Sequence, residues 1–323
     1  MRVSRRRERS GPGIAAAALL LFFCARALAL PRYDHILVVV EENKDYHEII
    51  ADKAAPYLNR LAAEGVTFTQ MFAEEHPSEG NYFWLFAGSN MNVGFDDQVP
   101  GREFTAPNLG AQLIAAGLSF AGYAQSLPEN GSMVAYAPAG CLWSCRYARK
   151  HVPWISFSNV PAASDRRFAD FPADYKKLPT VAFVIPDLDH DMHNCAPKDS
   201  IPRGDRWLRH HLGAYERWAK THRSLLIVTF DENADKTGYK GLTDPAIAPD
   251  RSRSRRDRRN RIPTIFAGAH IRRGSVEKRP LDHVTLLRTI EAIYGLPKAG
   301  AQQPLALRAG IGNGAIPEGV FAP

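Results

Sequence analysis

The chain has 323 residues, 45% hydrophobic and 23% charged, which is enough apolar material for a large core and too much for a disordered chain. Its formal charge of +7 is uneven, because residues 1–29 hold six arginines and one glutamate and leave only +2 for the rest. So small an excess excludes the broad basic footprint of a nucleic-acid binder, and no apolar run reaches the roughly 18 residues of a membrane-spanning helix.

In chain order, an arginine-rich start, an apolar run from Ile14 to Phe23 and the A-x-A pattern at Ala27 and Ala29 read as a signal peptide. A membrane anchor is the competing reading, but the run is short and ends at Arg26. Cleavage after Ala29 sends residues 30–323, read as a single domain, to the periplasm or the medium. The first buried strand is HILVVVEE (35–42), and PYLNRLAAEG (56–65) follows as a helix stopped by Gly65. In EEHPSEGNYFWLFAGS (74–89), Ser78 stands beside His76 at the start of a helix, where free amides favour an anion. A serine there also serves as a plain N-cap.

Further on come a helix at 108–117, a strand at 118–125 and a loop-rich stretch at 126–179, expected to wall the site. Within that stretch CLWSC (141–145) has the spacing of a small local disulfide; in an oxidising compartment that pairing, or free thiols with Cys195, is favoured over zinc. The strand TVAFVIPD (180–187) leads into DLDHDMHN. Then come a helix at 205–220, the strand SLLIVTFDE (224–232), the basic run RSRSRRDRRNR (251–261), the strand IPTIFAGA (262–269) and a helix at 282–295. Strands alternating with amphipathic helices predict an α/β fold, a three-layer sandwich around a mostly parallel sheet.

In open α/β sheets functional groups collect at the carboxyl ends of strands. Acids recur there: Glu41, Glu42 and Asn43 after the first strand, Asp187 and Asp189 after the third, Asp231 and Glu232 after the fourth. One polar strand end is ordinary. Three on one edge put carboxylates together that repel unless a cation neutralises them. His190, Asp191 and His193 reach the same place and serve metal, phosphate or proton transfer alike. The aromatic residues Tyr82, Phe83, Trp84, Trp143 and Trp154 either fill the core or line a lipid pocket.

These segments, in this order over nearly the whole body, resemble the bacterial phosphoesterase family of acid phosphatases and phospholipases C, within the alkaline phosphatase superfamily. The resemblance implies an alkaline-phosphatase-like fold and a divalent metal ion, of unspecified identity and number, held by Glu42, Asn43, Ser78, Asp231 and Glu232. It implies Ser78 as nucleophile through a phosphoserine, with His190 and His193 catalytic and an acidic optimum. His76, Asn81, Asp191 and His283 would then bind phosphate or substrate. The leading expectation is an exported acid phosphatase acting on a phosphorylated small molecule. The alternatives are a phospholipase C on lipid head groups and a silent phospho-ligand-binding protein. The run 251–261 is a candidate for peripheral membrane contact; neither nucleic acid nor an obligate protein partner is expected.

Overall fold

The computed structural model describes residues 30–93, 100–141, 145–193, 199–234, 259–316 and 318–322. The signal-like residues 1–29, Trp143, Cys195 and positions 251–258 of the basic run lie outside these.

The segment at 35–42 forms strand β1 (His35–Glu41), in which Ile36 to Val40 are at most 1% exposed. An unbroken apolar run of this kind belongs to a central parallel strand covered on both faces. β1 lies between β7 (Val181–Ile185) and β8 (Ser224–Phe230), parallel to both, with Val38 opposite Phe183 and Ile227. The remaining strands are β2 (Val66–Phe72), β3 (Phe120–Ala124), β6 (Asp165–Arg167), β9 (Arg261–Gly268), β10 (Ser275–Glu277) and β11 (Leu281–Asp282). The nine-stranded sheet runs β10-β2-β9-β8-β1-β7-β3-β6, with β11 also on β2. Only β9 is antiparallel to its neighbours among these pairings. The short strands β4 (Tyr136–Ala137) and β5 (Tyr147–Ala148) pair separately.

Helices flank the sheet in two groups. Helices α1 (Tyr46–Ile49), α2 (Pro56–Glu64) and α5 (Ser200–Ala219) pack around β8 and β9. The second group is α3 (Ser78–Ala87), α4 (Leu109–Ala115) and α6 (His283–Tyr294), with α7 (Pro304–Arg308) near the C-terminus. The expected mixed, mostly parallel sheet between helices is therefore what the chain forms.

Three differences from expectation have local causes. β2 reads VTFTQMF, whose Thr and Gln interrupt the apolar run, and its register against β9 shifts between Phe68 and Met71. α5 begins five residues earlier than the apolar pattern suggests, at Ser200. The loop-rich stretch 126–179 is not only a wall, because its β6 joins the central sheet beside β3. Cys141 and Cys145 are joined as a disulfide. Among the described residues, no helix is long and apolar enough to cross a membrane.

Candidate active site

Because every long strand except β9 points the same way, the carboxyl ends of β1, β2, β7 and β8 share one edge. Leaving β1, the chain turns at Asn43, whose φ of 35° is in the left-handed region that Asn tolerates better than most residues. Its backbone N–H donates to Asp231 Oδ1 at 2.9 Å, its side-chain amide donates to Glu232 Oε1, and Lys44 Nζ donates to its carbonyl at 3.0 Å. These bonds hold the ends of β1 and β8 together and fix Glu42 above them.

Ser78 begins α3, a helix whose ten residues are all buried. Its hydroxyl donates to Glu232 Oε1 at 3.1 Å and lies 3.4 Å from Glu42 Oε2. Glu42, Asn43, Ser78, Asp231 and Glu232 thus meet, each at most 2% exposed. Burial, then the Asp231 charge, raises the Glu42 carboxyl well above its ordinary range, while Lys150 and Tyr82 oppose the shift. Burial, then Glu232, pushes Asp231 up to about 8. Carboxylates this crowded ionise together only beside a cation.

The donors fit one. Asn43 Oδ1 and Asp231 Oδ2 are buried oxygens without a hydrogen-bond partner, in a set of carboxylate, amide and hydroxyl oxygens suited to a hard divalent ion. Among the described residues, no three His, Cys, Asp or Glu side chains make a cation cage by themselves. The fit depends on Asn43 and Ser78 joining the carboxylates.

His76 orients this floor: its Nδ1 lies 2.5 Å from Glu232 Oε2 and its Nε2 3.1 Å from Asn233 Oδ1. Asn233 is itself held by Asp45 at 2.9 Å and by Asn260 at 2.7 Å. His193, with a side chain 39% exposed, stands at the mouth with Nδ1 3.7 Å from Glu42 Oε2. Asp191 accepts the His193 N–H at 2.9 Å, and its carbonyl accepts from Glu42 N at 2.8 Å, so it positions both residues while buried. His190 is turned aside, with Nδ1 2.6 Å from Asp187 Oδ1 and its ring stacked on Trp207.

Two residues expected at the phosphate are committed elsewhere. Asn81 Oδ1 accepts from the Glu74 and Glu75 amides at 3.0 and 3.1 Å and its Nδ2 donates to Glu75 O at 2.7 Å, closing the turn before α3. His283 is buried with Nδ1 2.7 Å from Glu74 Oε2 and Nε2 2.8 Å from the Phe230 carbonyl. Burial opposes its charging, but Glu74 outweighs that and raises its pKa. With both ring nitrogens engaged, His283 ties α6 to the end of β8 and offers nothing to an anion.

Tyr82 and His151 join the site instead. Tyr82 OH donates to Glu42 Oε1 at 2.5 Å, and His151 Nε2 lies 3.2 Å from the same oxygen. The two rings stack at 5.1 Å, and burial, then Lys150, keeps His151 neutral. Tyr82 was findable, since it is four residues from Ser78 on one helix face. His151 gave no local signal, because it arrives from the 126–179 stretch. Phe83 and Trp154 are core residues, and Trp84 is 9% exposed with its indole N–H on Glu75.

The Phosphoesterase family profile matches residues 49–297. The chain is 43% identical over 297 residues to a phosphatidylinositol-3-phosphatase of Mycobacterium tuberculosis, covering 89% of this chain and 88% of that one. It is 27% identical over 279 residues to a probable acid phosphatase of Kluyveromyces lactis, covering 83% of this chain and 60% of that one. In fold it resembles a protein of the alkaline phosphatase superfamily from Vibrio parahaemolyticus, with a TM-score of 0.55 at 12% identity over 84% of this chain and 69% of that one. The chain belongs to the Phosphoesterase family and is a phosphoric ester hydrolase.

Proposed function

We propose that this hydrolase is a metal-dependent phosphomonoesterase that works through a phosphoserine on Ser78. The observation that carries this is the contact of Ser78 Oγ with Glu232 at 3.1 Å and Glu42 at 3.4 Å, at the first turn of a buried helix. A nucleophile hydrogen-bonded to a base that a third group orients is the general pattern of activated hydroxyls. Here the chain is Ser78, Glu232, His76 and Asn233.

When bound by Glu42, Asn43, Ser78, Asp231 and Glu232, a divalent cation supplies charge neutralisation for the serine oxygen and the phosphoryl oxygens. The protein's own groups do the rest. The proton of Ser78 leaves along its bond to Glu232, the oxygen attacks phosphorus in line, and the P–O bond to the alcohol breaks. His193 at the mouth gives the leaving alcohol its proton. It takes one back from the water that then cleaves the phosphoserine, returning the serine and releasing phosphate. Tyr82 and His151 hold Glu42 Oε1, which keeps Oε2 toward Ser78.

The 43% identity to a phosphatidylinositol-3-phosphatase favours a monoester carried on a lipid head group within the substrate range, alongside soluble monoesters. The signal-like residues 1–29 favour export to the periplasm or the medium. Purified protein is expected to release nitrophenol from p-nitrophenyl phosphate, to lose this with chelator and to regain it with a divalent metal. Ser78→Ala should remove it, and turnover that survives in that variant sinks the proposal. Release of diacylglycerol from phosphatidylcholine in place of phosphate from monoesters would mark a phosphodiesterase.

A further inference from the structure

Outside the site, a cleft of about 330 Å³ is lined by Phe168, Phe171, Pro172, Tyr175 and His211, with Ala169 and Ala173 at its rim. Phe168 packs against Trp207 at 5.1 Å and His211 at 5.3 Å, and Phe171 meets Tyr123 at 5.1 Å. The lining rings are half-exposed or exposed, and none belongs to the chemistry described above. The cleft runs along the flank of the sheet: Phe168 follows the carboxyl end of β6, whereas Tyr175 packs on Trp218, which meets His35 at the start of β1. Trp207 connects the cleft with the site, its ring tilted against Phe168 at 5.1 Å and stacked on His190 at 6.1 Å.

The segment that supplies most of the lining, residues 166–177, carries four basic and two acidic side chains. Arg166, Arg167, Lys176, Lys177, Arg206 and Arg209 are exposed and flank the lining residues in sequence. Asp170 is paired with Arg167 at 2.9 Å, and Asp174 keeps its charge while accepting the Lys176 backbone N–H at 3.2 Å, so Arg166, Lys176 and Lys177 supply the excess of positive charge in this segment. Half-exposed aromatic rings bordered by cations suit a boundary between apolar chains and anionic head groups. Rings lodge at that depth, and cations gain from the negative surface potential.

We propose that this face docks the protein onto an anionic lipid surface, with the aromatic cleft against the apolar boundary and the surrounding lysines and arginines on head-group phosphates. The docking does not depend on which ester is cleaved, so hydrolysis of a soluble ester reports on the chemistry separately.

Flotation of the full chain with vesicles of phosphatidylcholine, with and without phosphatidylserine, tests this. Binding is expected only to the anionic vesicles and should fall as salt is added. Lys176→Glu with Lys177→Glu should weaken it by at least roughly 25-fold, since removing each cation accounts for about fivefold and the added carboxylates repel the anionic surface further. Ala173→Asp, which places a charge in the cleft rim without touching the core, should weaken it too. Both variants should hydrolyse p-nitrophenyl phosphate at the wild-type rate. Equal binding by wild type and the charge-reversed protein overturns the proposal, as does binding that ignores phosphatidylserine. Capture by single-stranded DNA with no vesicle binding overturns it as well.

Discussion

Replacing Asp165 with asparagine should make the protein more stable above neutral pH. Asp165 is fully buried, accepts from Trp154 Nε1 at 2.8 Å through Oδ1, and leaves Oδ2 without a partner. Burial pushes its carboxyl up to about 7 from an ordinary 3.8, against the Trp154 bond and the charges of Arg102 and Arg149. Between those values the folded chain holds a proton that the unfolded chain has lost, so stability falls as pH rises through the window and the full penalty stands above it. The gap corresponds to about 4 kcal/mol at 1.36 kcal/mol per pH unit. Asparagine keeps the acceptor for Trp154 but puts an N–H where Oδ2 found no partner, which returns about 1–2 kcal/mol. A net gain of roughly 2–3 kcal/mol at pH 8 should remain and fade toward pH 4. Urea unfolding of both proteins across that range measures it. A gain of the same size at pH 4 and pH 8, or none at pH 8, refutes the buried-charge account.

Tyr82→Phe removes the donor that holds Glu42 Oε1 at 2.5 Å. A buried bond to a charged group is worth about 1.5–3 kcal/mol, so kcat/KM should fall roughly 10- to 100-fold and divalent metal should bind more weakly, with circular dichroism unchanged. His283→Ala should act on stability, costing about 3 kcal/mol by leaving Glu74 buried beside a lost partner, as denaturant unfolding would show. His193→Ala should instead lower kcat/KM with little change in unfolding midpoint; a reversed pattern would return His283 to the chemistry. Gly122→Ala places a methyl 2.0 Å from Trp154 Cζ2 in a packed aromatic layer, and should lower the melting temperature through a cost of at least about 1–3 kcal/mol.

What could be read from sequence follows from what is local. The five long buried strands announce themselves as apolar runs, and the acids at their ends declare one edge, because both signals sit within a few residues. β2 escapes notice through its Thr and Gln, and β6, β10 and β11 are too short for any period to register. The proposed nucleophile is legible as a serine at a helix start. Residue type alone also suggests His283 and Asn81, yet their partners decide their work, and Glu74 and the Phe230 carbonyl are invisible until the chain folds. His151 is the opposite case, reaching Glu42 from more than a hundred residues away in the sequence.

The split between a buried helix carrying Ser78 and a long crossover carrying His151 bears on how this enzyme could be re-purposed. The proposed nucleophilic oxygen of Ser78 sits on a helix whose ten residues are all buried. The cover above it comes from one stretch between β3 and β7, which also builds the aromatic cleft. Exchanging that stretch while keeping the Tyr82 and His151 pairing on Glu42 offers a way to graft new substrate preferences onto an unaltered reaction centre.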